Sequence, residues 1–137
     1  MPQQTILVDL DGVLAEYDGW KGPEHFGKPI VDIVDMVNVL KRMGYTIIIY
    51  TTRADEILNG HGARQKTIEW LQGAGVLYDR LVAKPLAVAI LDDRAINAID
   101  FRNTPHPFEG ETDEGKARAM QFLQAVDALT PLKGSKV

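Results

Sequence analysis

Asp9 and Asp11, in the run ILVDLDGVL over residues 6–14, are two carboxylates one residue apart at the end of an aliphatic stretch, with Gly12 directly behind. A second acidic pair, Asp92 and Asp93, closes a similar stretch, LAVAILDD. Between the two pairs lie Thr51, Thr52 and Arg53 at the end of TIIIYTTR, and Lys84 in AKP. Four carboxylates gathered at one place repel, raising one another's pKa or calling for a cation between them. A hard divalent ion meets that need, because magnesium takes oxygen ligands, keeps several waters and uses one or two carboxylates plus substrate phosphate. With Lys84 beside it and Thr51 offering a hydroxyl and backbone N–H groups, the set has the parts of a phosphoryl clamp. A phosphate monoester is its natural ligand. Arg53 is placed to grip a substrate anion, with Thr52 next to it as a second substrate-binding candidate.

Plainer readings exist for each piece. Asp-Gly between apolar runs signals a hairpin, with TILVDL turning back as VLAEY, and ILDDRA reads equally as a strand followed by a helix-capping aspartate. Repetition weighs against both, since a turn needs only one polar residue of several kinds and both stretches end in a carboxylate pair. His25, His61 and His106 share no metal-ligand spacing and read as loop residues. Trp20 and Phe26 either line a substrate entrance or fold their loop onto the body, and Trp70 reads as core. Glycine-rich phosphate loops are absent, which leaves nucleotide-driven kinase chemistry little support.

The elements that would position these groups are legible in the periodicity. Thr5 to Leu10 is a short buried strand. From Asp11 to Pro29 the chain is rich in Gly, Pro and aromatics, and the part from Asp18 to Pro29 reads as a flap. Ile30, Ile33, Val34, Val37, Leu40 and Met43 recur at helical spacing between Pro29 and Gly44. YTIIIYTT is a second strand, followed by a polar loop through Asn59 and Gly60 and a helix around Ala63 to Gln72. RLVA reads as a third strand, LAVAILDD as a fourth, and Thr112 to Leu129 as a terminal helix. The alternation predicts an α/β fold: a single Rossmann-like domain over residues 1–130, with a parallel sheet, helices on both faces and a frayed tail at 131–137. Ligands of such sheets sit beyond the carboxyl ends of the strands, where all the residues named above would converge.

Composition sets the outer bounds. The 137 residues suit one domain, and 45% hydrophobic with 25% charged residues is the balance of a folding chain. A net charge of -4 gives no global attraction to phosphate backbones or anionic lipid. No apolar run approaches the roughly 20 residues of a membrane span, and MPQQT does not read as a secretory signal, so the expected location is the cytoplasm. Zero cysteines exclude disulfides, thiolate metal sites and a cysteine nucleophile.

Taken in order, the four motifs resemble the haloacid dehalogenase superfamily, most of whose members are magnesium-dependent phosphohydrolases. The Asp-x-Asp-Gly motif matches ILVDLDGVL, the strand ending in Thr or Ser matches TIIIYTT at Thr51, the isolated lysine matches Lys84, and the acidic motif matches AILDD. The resemblance implies that Asp9 attacks phosphorus to form an aspartyl-phosphate and that Asp11 protonates the leaving alcohol and later deprotonates water. It implies magnesium held by Asp9, by Asp11 through its backbone carbonyl and by Asp92, with Asp93 as an outer or additional ligand. Thr51 and Lys84 would hold the transferring oxygens. The stretches between motifs leave no room for a cap domain, so the resemblance is to a small capless member whose site would be open unless the flap or a partner subunit in a homo-oligomer covers it. Small phosphate esters and nucleotide or nucleic-acid 3'- or 5'-ends both suit such a site, and no membrane partner is expected. A receiver-like signalling domain shares the acidic pair and Lys-Pro, but it needs a phosphoacceptor aspartate at the end of its middle strand, where this chain has YTTR.

Overall fold

The computed structural model describes residues 4–102, 108 and 110–129; the tail expected at 131–137 and His106 lie outside the described residues. Three strands, β1 (Thr5–Val8), β2 (Thr46–Thr51) and β3 (Arg80–Ala83), form a parallel sheet in the order β1-β2-β3. The register sets Val8 opposite Ile49 and Thr51 opposite Ala83, so all three strands end at one edge. β2 alternates: Ile47, Ile49 and Thr51 are buried, while Thr46, Ile48 and Tyr50 are half-buried on the other face.

The connection from β1 to β2 runs through α1 (Val31–Arg42), and that from β2 to β3 through the short α2 (Glu56–Asn59) and α3 (Ala63–Gly73). These are the parallel crossovers of an α/β Rossmann-like fold. α1 carries Asp32 in its first turn and Lys41 and Arg42 in its last, as the helix dipole favours. Its buried face is Ile33, Val34, Met36, Val37 and Leu40. α3 buries Ala63, Thr67 and Leu71, and the Thr67 hydroxyl bonds back to the Ala63 carbonyl at 2.9 Å.

The terminal helix α4 (Glu114–Asp127) packs on α1. Gly115 lets the two helices approach, because a Cβ there would press on Asp35. Arg118, buried at this seam, pairs with Asp32 at 3.4 Å and Glu114 at 2.8 Å and donates to the Phe101 carbonyl at 2.8 Å. No helix among the described residues is long and apolar enough to cross a membrane.

The expected fourth strand is corrected by the structure. Residues 86–93 carry no strand, and Leu86, Val88, Ile90 and Leu91 are all exposed. The reason lies in the connection. A parallel neighbour needs a crossover of about a dozen residues, and only Lys84 and Pro85 separate β3 from this run, so the composition of a strand comes without the chain length to place it.

Asp79 ties the far end of the sheet together. It accepts the Ile47 N–H at 2.8 Å, returns its own N–H to the Ile47 carbonyl, and pairs with Lys41 at 3.1 Å. The Ile47 hydrogen bond first, and Lys41 after it, hold its carboxyl below the ordinary value. A carboxyl lowered by folding contributes stability above its unfolded pKa of about 3.9, and loses that contribution as pH falls through the lower folded value. Asp79→Asn is expected to unfold at lower urea than the native chain near neutral pH, with the difference closing below about pH 4. Urea titrations across that range measure it, and a pH-independent difference contradicts the assignment.

Candidate active site

Asp9 is the first residue past β1, where the strand has delivered it to the carboxyl edge of the sheet. Its Oδ1 accepts the Leu10 N–H at 2.7 Å and its Oδ2 accepts the Lys84 ammonium at 2.7 Å. Lys84 is likewise the first residue past β3, and its N–H donates to the Thr51 carbonyl at 3.1 Å. The lysine head also lies 5.9 Å from the Tyr50 ring centroid. Both partners of this ion pair therefore get their positions from strand ends two places apart in the sheet.

The chain leaves β1 through a tight turn. The Leu10 carbonyl accepts N–H groups from Val13, Leu14 and Ala15, and Gly12 takes φ +79°, which a side chain would strain. Leu10, Leu14 and Ala15 are fully buried and anchor the turn in the core. Isolated bridges from Ala15 to Asp11 and Pro29 replace the hairpin alternative, and VLAEY does not pair with β1.

Arg53 faces Asp11 across the site. Its Nε reaches Asp11 Oδ2 at 2.7 Å and its Nη2 reaches Oδ1 at 3.0 Å, a bidentate fork. Nη2 also donates to the His25 carbonyl at 2.7 Å and Nη1 to the Pro23 carbonyl at 3.5 Å. The guanidinium carbon lies 4.0 Å from the Phe26 ring centroid and 4.8 Å from that of Trp20. With 3% of its surface exposed, Arg53 is a staple between β2, Asp11 and the 18–29 loop, and its donors are spent on protein partners.

The loop is fastened at further points. Phe26 stacks on Trp70 with centroids 5.7 Å apart, Glu24 pairs with Lys66 at 2.8 Å, and the Glu16 N–H donates to the Lys28 carbonyl at 2.8 Å. Gly27 lies so close to the Glu16 backbone that a Cβ would collide with it. The two aromatics that the sequence left undecided thus part company: Phe26 folds the loop onto the body, and Trp20 lines a cleft of about 520 Å³.

That cleft is lined by Asp9, Asp11, Thr52 and Lys84, with Tyr17, Trp20, Leu58 and Leu86 among its other walls. Thr51, expected beside the phosphate, is 1% exposed, and its hydroxyl accepts the Arg53 N–H at 3.2 Å. Thr52 is the threonine at the wall. Asp92 and Asp93 are exposed and lie outside this cleft, Asp92 accepting the Arg94 N–H at 2.6 Å. Their displacement follows from the missing fourth strand. Among the described residues no three Asp, Glu, His or Cys side chains group closely enough to hold a metal by themselves.

Sequence reasoning overlooked the α2 wall. Asp55 caps this helix by accepting the Ile57 and Leu58 N–H groups at 3.0 Å each, and Asn59 donates to the Thr52 carbonyl at 2.6 Å. The aspartate followed by Glu56 is a helix-start signal that could have revealed it.

No family model matches the chain, and no curated protein matches it. Among solved structures, one from Vibrio cholerae matches with a TM-score of 0.61 and 22% identity, covering 88% of this chain and 99% of that one. At that identity the likeness shows a shared fold. A D,D-heptose 1,7-bisphosphate phosphatase from B. bronchiseptica, complexed with magnesium and phosphate, overlaps more loosely: TM-score 0.44, 16% identity, 63% of this chain and 52% of that one.

The staple role of Arg53 has a measurable consequence. Arg53→Met keeps much of the bulk but strands Asp11 without its cation, a loss that costs roughly 3 kcal/mol for a buried pair. Urea denaturation should show that loss, and hydrogen exchange should show amides of 24–28 exchanging faster while those of α1 keep their protection relative to global unfolding. Unchanged exchange in the loop would refute the staple.

Proposed function

We propose that the chain is a magnesium-dependent phosphohydrolase of the haloacid dehalogenase kind, a small capless member, cleaving phosphate monoesters through an aspartyl-phosphate on Asp9. One observation carries the reading: Asp9, Asp11 and Lys84, drawn from motifs far apart in sequence, line one cleft at the carboxyl edge of a parallel sheet. The ordered match of the first three motifs supports it.

Asp9 is oriented for nucleophilic work. The Leu10 N–H and the Lys84 ammonium each take one of its oxygens, which fixes the carboxylate plane while leaving the side chain 36% exposed to the cleft. Attack of a carboxylate oxygen on phosphorus forms the P–O bond to Asp9 as the bond to the leaving alcohol breaks, dividing one displacement into two. Asp11 would act as the acid after freeing one oxygen from the Arg53 fork and taking up a proton there, which passes to the leaving oxygen and is recovered from the water that attacks the phosphoenzyme. Arg53 would keep the carboxyl aimed through its other oxygen. Lys84 is near enough to exchange its contact with Asp9 for one with a phosphoryl oxygen, balancing charge in the transition state. Thr52 adds a hydroxyl at the wall.

The donor set suits a magnesium ion that relies on its substrate. One carboxylate, that of Asp9, is open to such an ion, with water and phosphate completing its shell, because both carboxylate oxygens of Asp11 accept from Arg53. Asp9 and the Asp11 backbone carbonyl would hold it, and the ion would supply positive charge to the phosphoryl oxygens. In the described arrangement Asp92 and Asp93 contribute nothing to that set.

The chain is expected to hydrolyse a generic aryl phosphate with magnesium and to stop when a chelator removes it. Asp9→Asn should lower the turnover by roughly three orders of magnitude or more. Steady-state kinetics with matched circular dichroism spectra separates loss of the nucleophile from loss of the fold, and a folded Asp9→Asn protein with native turnover would overturn the assignment.

A further inference from the structure

The cleft has two chemistries in one space. Its lining joins charged groups, Asp9, Asp11 and Lys84, to the largely apolar side chains of Tyr17, Trp20, Leu58 and Leu86, which are themselves exposed. Its volume of about 520 Å³ lies within the range of small-molecule sites. A phosphate alone engages only the charged groups. The apolar lining calls for something large and apolar attached to it.

Trp20 says what shape that group has. The buried Arg53 guanidinium lies under its ring at 4.8 Å and is itself held by Asp11 and two loop carbonyls. The indole thus rests against a held cation, Trp20 is 49% exposed, and it is one of the residues that line the cleft. An aromatic face held in place beforehand loses little freedom on binding, which is the condition for a productive stack. Tyr17 and Leu58 offer further flat and aliphatic surface beside it.

We propose that this wall is a stacking platform and that Trp20 selects phosphate monoesters carrying a planar aromatic ring system, a mononucleotide in size and chemistry. The proposal rests on the phosphohydrolase reading and names its substrate class. The electrostatics favour a mononucleotide over a nucleic-acid end. Lys21 is matched by Asp18 at 3.1 Å and Lys66 by Glu24 at 2.8 Å, Arg53 is buried, and the net charge is -4. Lys28 and Arg64 are exposed with no ion pair among the described residues, which leaves two free charges near the loop, fewer than the several phosphate contacts that tracking a nucleic-acid backbone takes.

The test compares a nucleoside 5'-monophosphate, ribose 5-phosphate and a 5'-phosphorylated oligonucleotide in the full chain and in Trp20→Ala and Trp20→Phe. The native protein should favour the mononucleotide over the sugar phosphate by about tenfold in kcat/KM, chiefly through KM, as one base–aromatic stack allows. Trp20→Ala should bring that ratio near unity, and Trp20→Phe should keep most of it. A native ratio of one, a ratio that survives in Trp20→Ala, or a preference for the oligonucleotide each overturns the proposal. Calorimetric binding of the same ligands to Asp9→Asn, with and without Trp20→Ala, decides the stacking independently of turnover. If the native chain hydrolyses an aryl phosphate but none of the three, the substrate proposal falls and the phosphohydrolase reading stands; if it hydrolyses neither, that reading falls, and the binding ratio still decides for or against the platform.

Discussion

Two carboxylates at the end of a half-buried strand must be met by cations, and the rest of the site follows from how this chain supplies them. Asp9 receives Lys84 from the end of β3, and Asp11 receives Arg53 from just past β2. The strands are in fixed register, so the cations arrive at positions set by the ladder: Thr51 opposite Ala83, and Val8 opposite Ile49. A register slip of one residue would turn every side chain to the other face and separate both pairs. Geometry at the cleft is therefore a property of the sheet. The loops only finish it.

The two ion pairs serve different ends. Lys84 touches a carboxylate that is 36% exposed, so its contact is open to competition from an incoming anion. Arg53 is enclosed by Asp11, two carbonyls and two aromatic rings, and its removal would leave an uncompensated charge. One cation is available to substrate, and the other is part of the architecture. That division also explains why the 18–29 loop, though irregular, is closed on the body: the guanidinium is its anchor on one side and the Phe26–Trp70 stack on the other.

Much of this was legible in the residues. The three strands and the helices α1, α3 and α4 lie within a few residues of where apolar periodicity, Pro29 and Gly44 put them, because local chain preferences and burial agree there. The placement of Asp9, Asp11 and Lys84 at one edge follows from parallel topology alone. The fourth strand misled because composition reports what a segment would bury and says nothing of whether its connection is long enough to deliver it. Arg53 was visible as a cation beside the site, yet its partners come from residues 28 to 42 positions away, and no local pattern encodes such a choice. The fates of Trp20 and Phe26 were hidden for the same reason. Thr51 is turned inward by the strand's alternation, while Thr52, a substrate-binding candidate just past the strand, stands at the wall.

The central claim is that the strand end places Asp9 to take a phosphoryl group onto its own carboxylate. Acid quenching of the protein during turnover of an aryl phosphate, followed by peptide mass spectrometry, tests it most directly. The account expects the added mass of one phosphoryl group on Asp9, lost on treatment with hydroxylamine. A phosphoryl group found on any other residue, or turnover with no trapped phosphopeptide under conditions that preserve acyl phosphates, would contradict it.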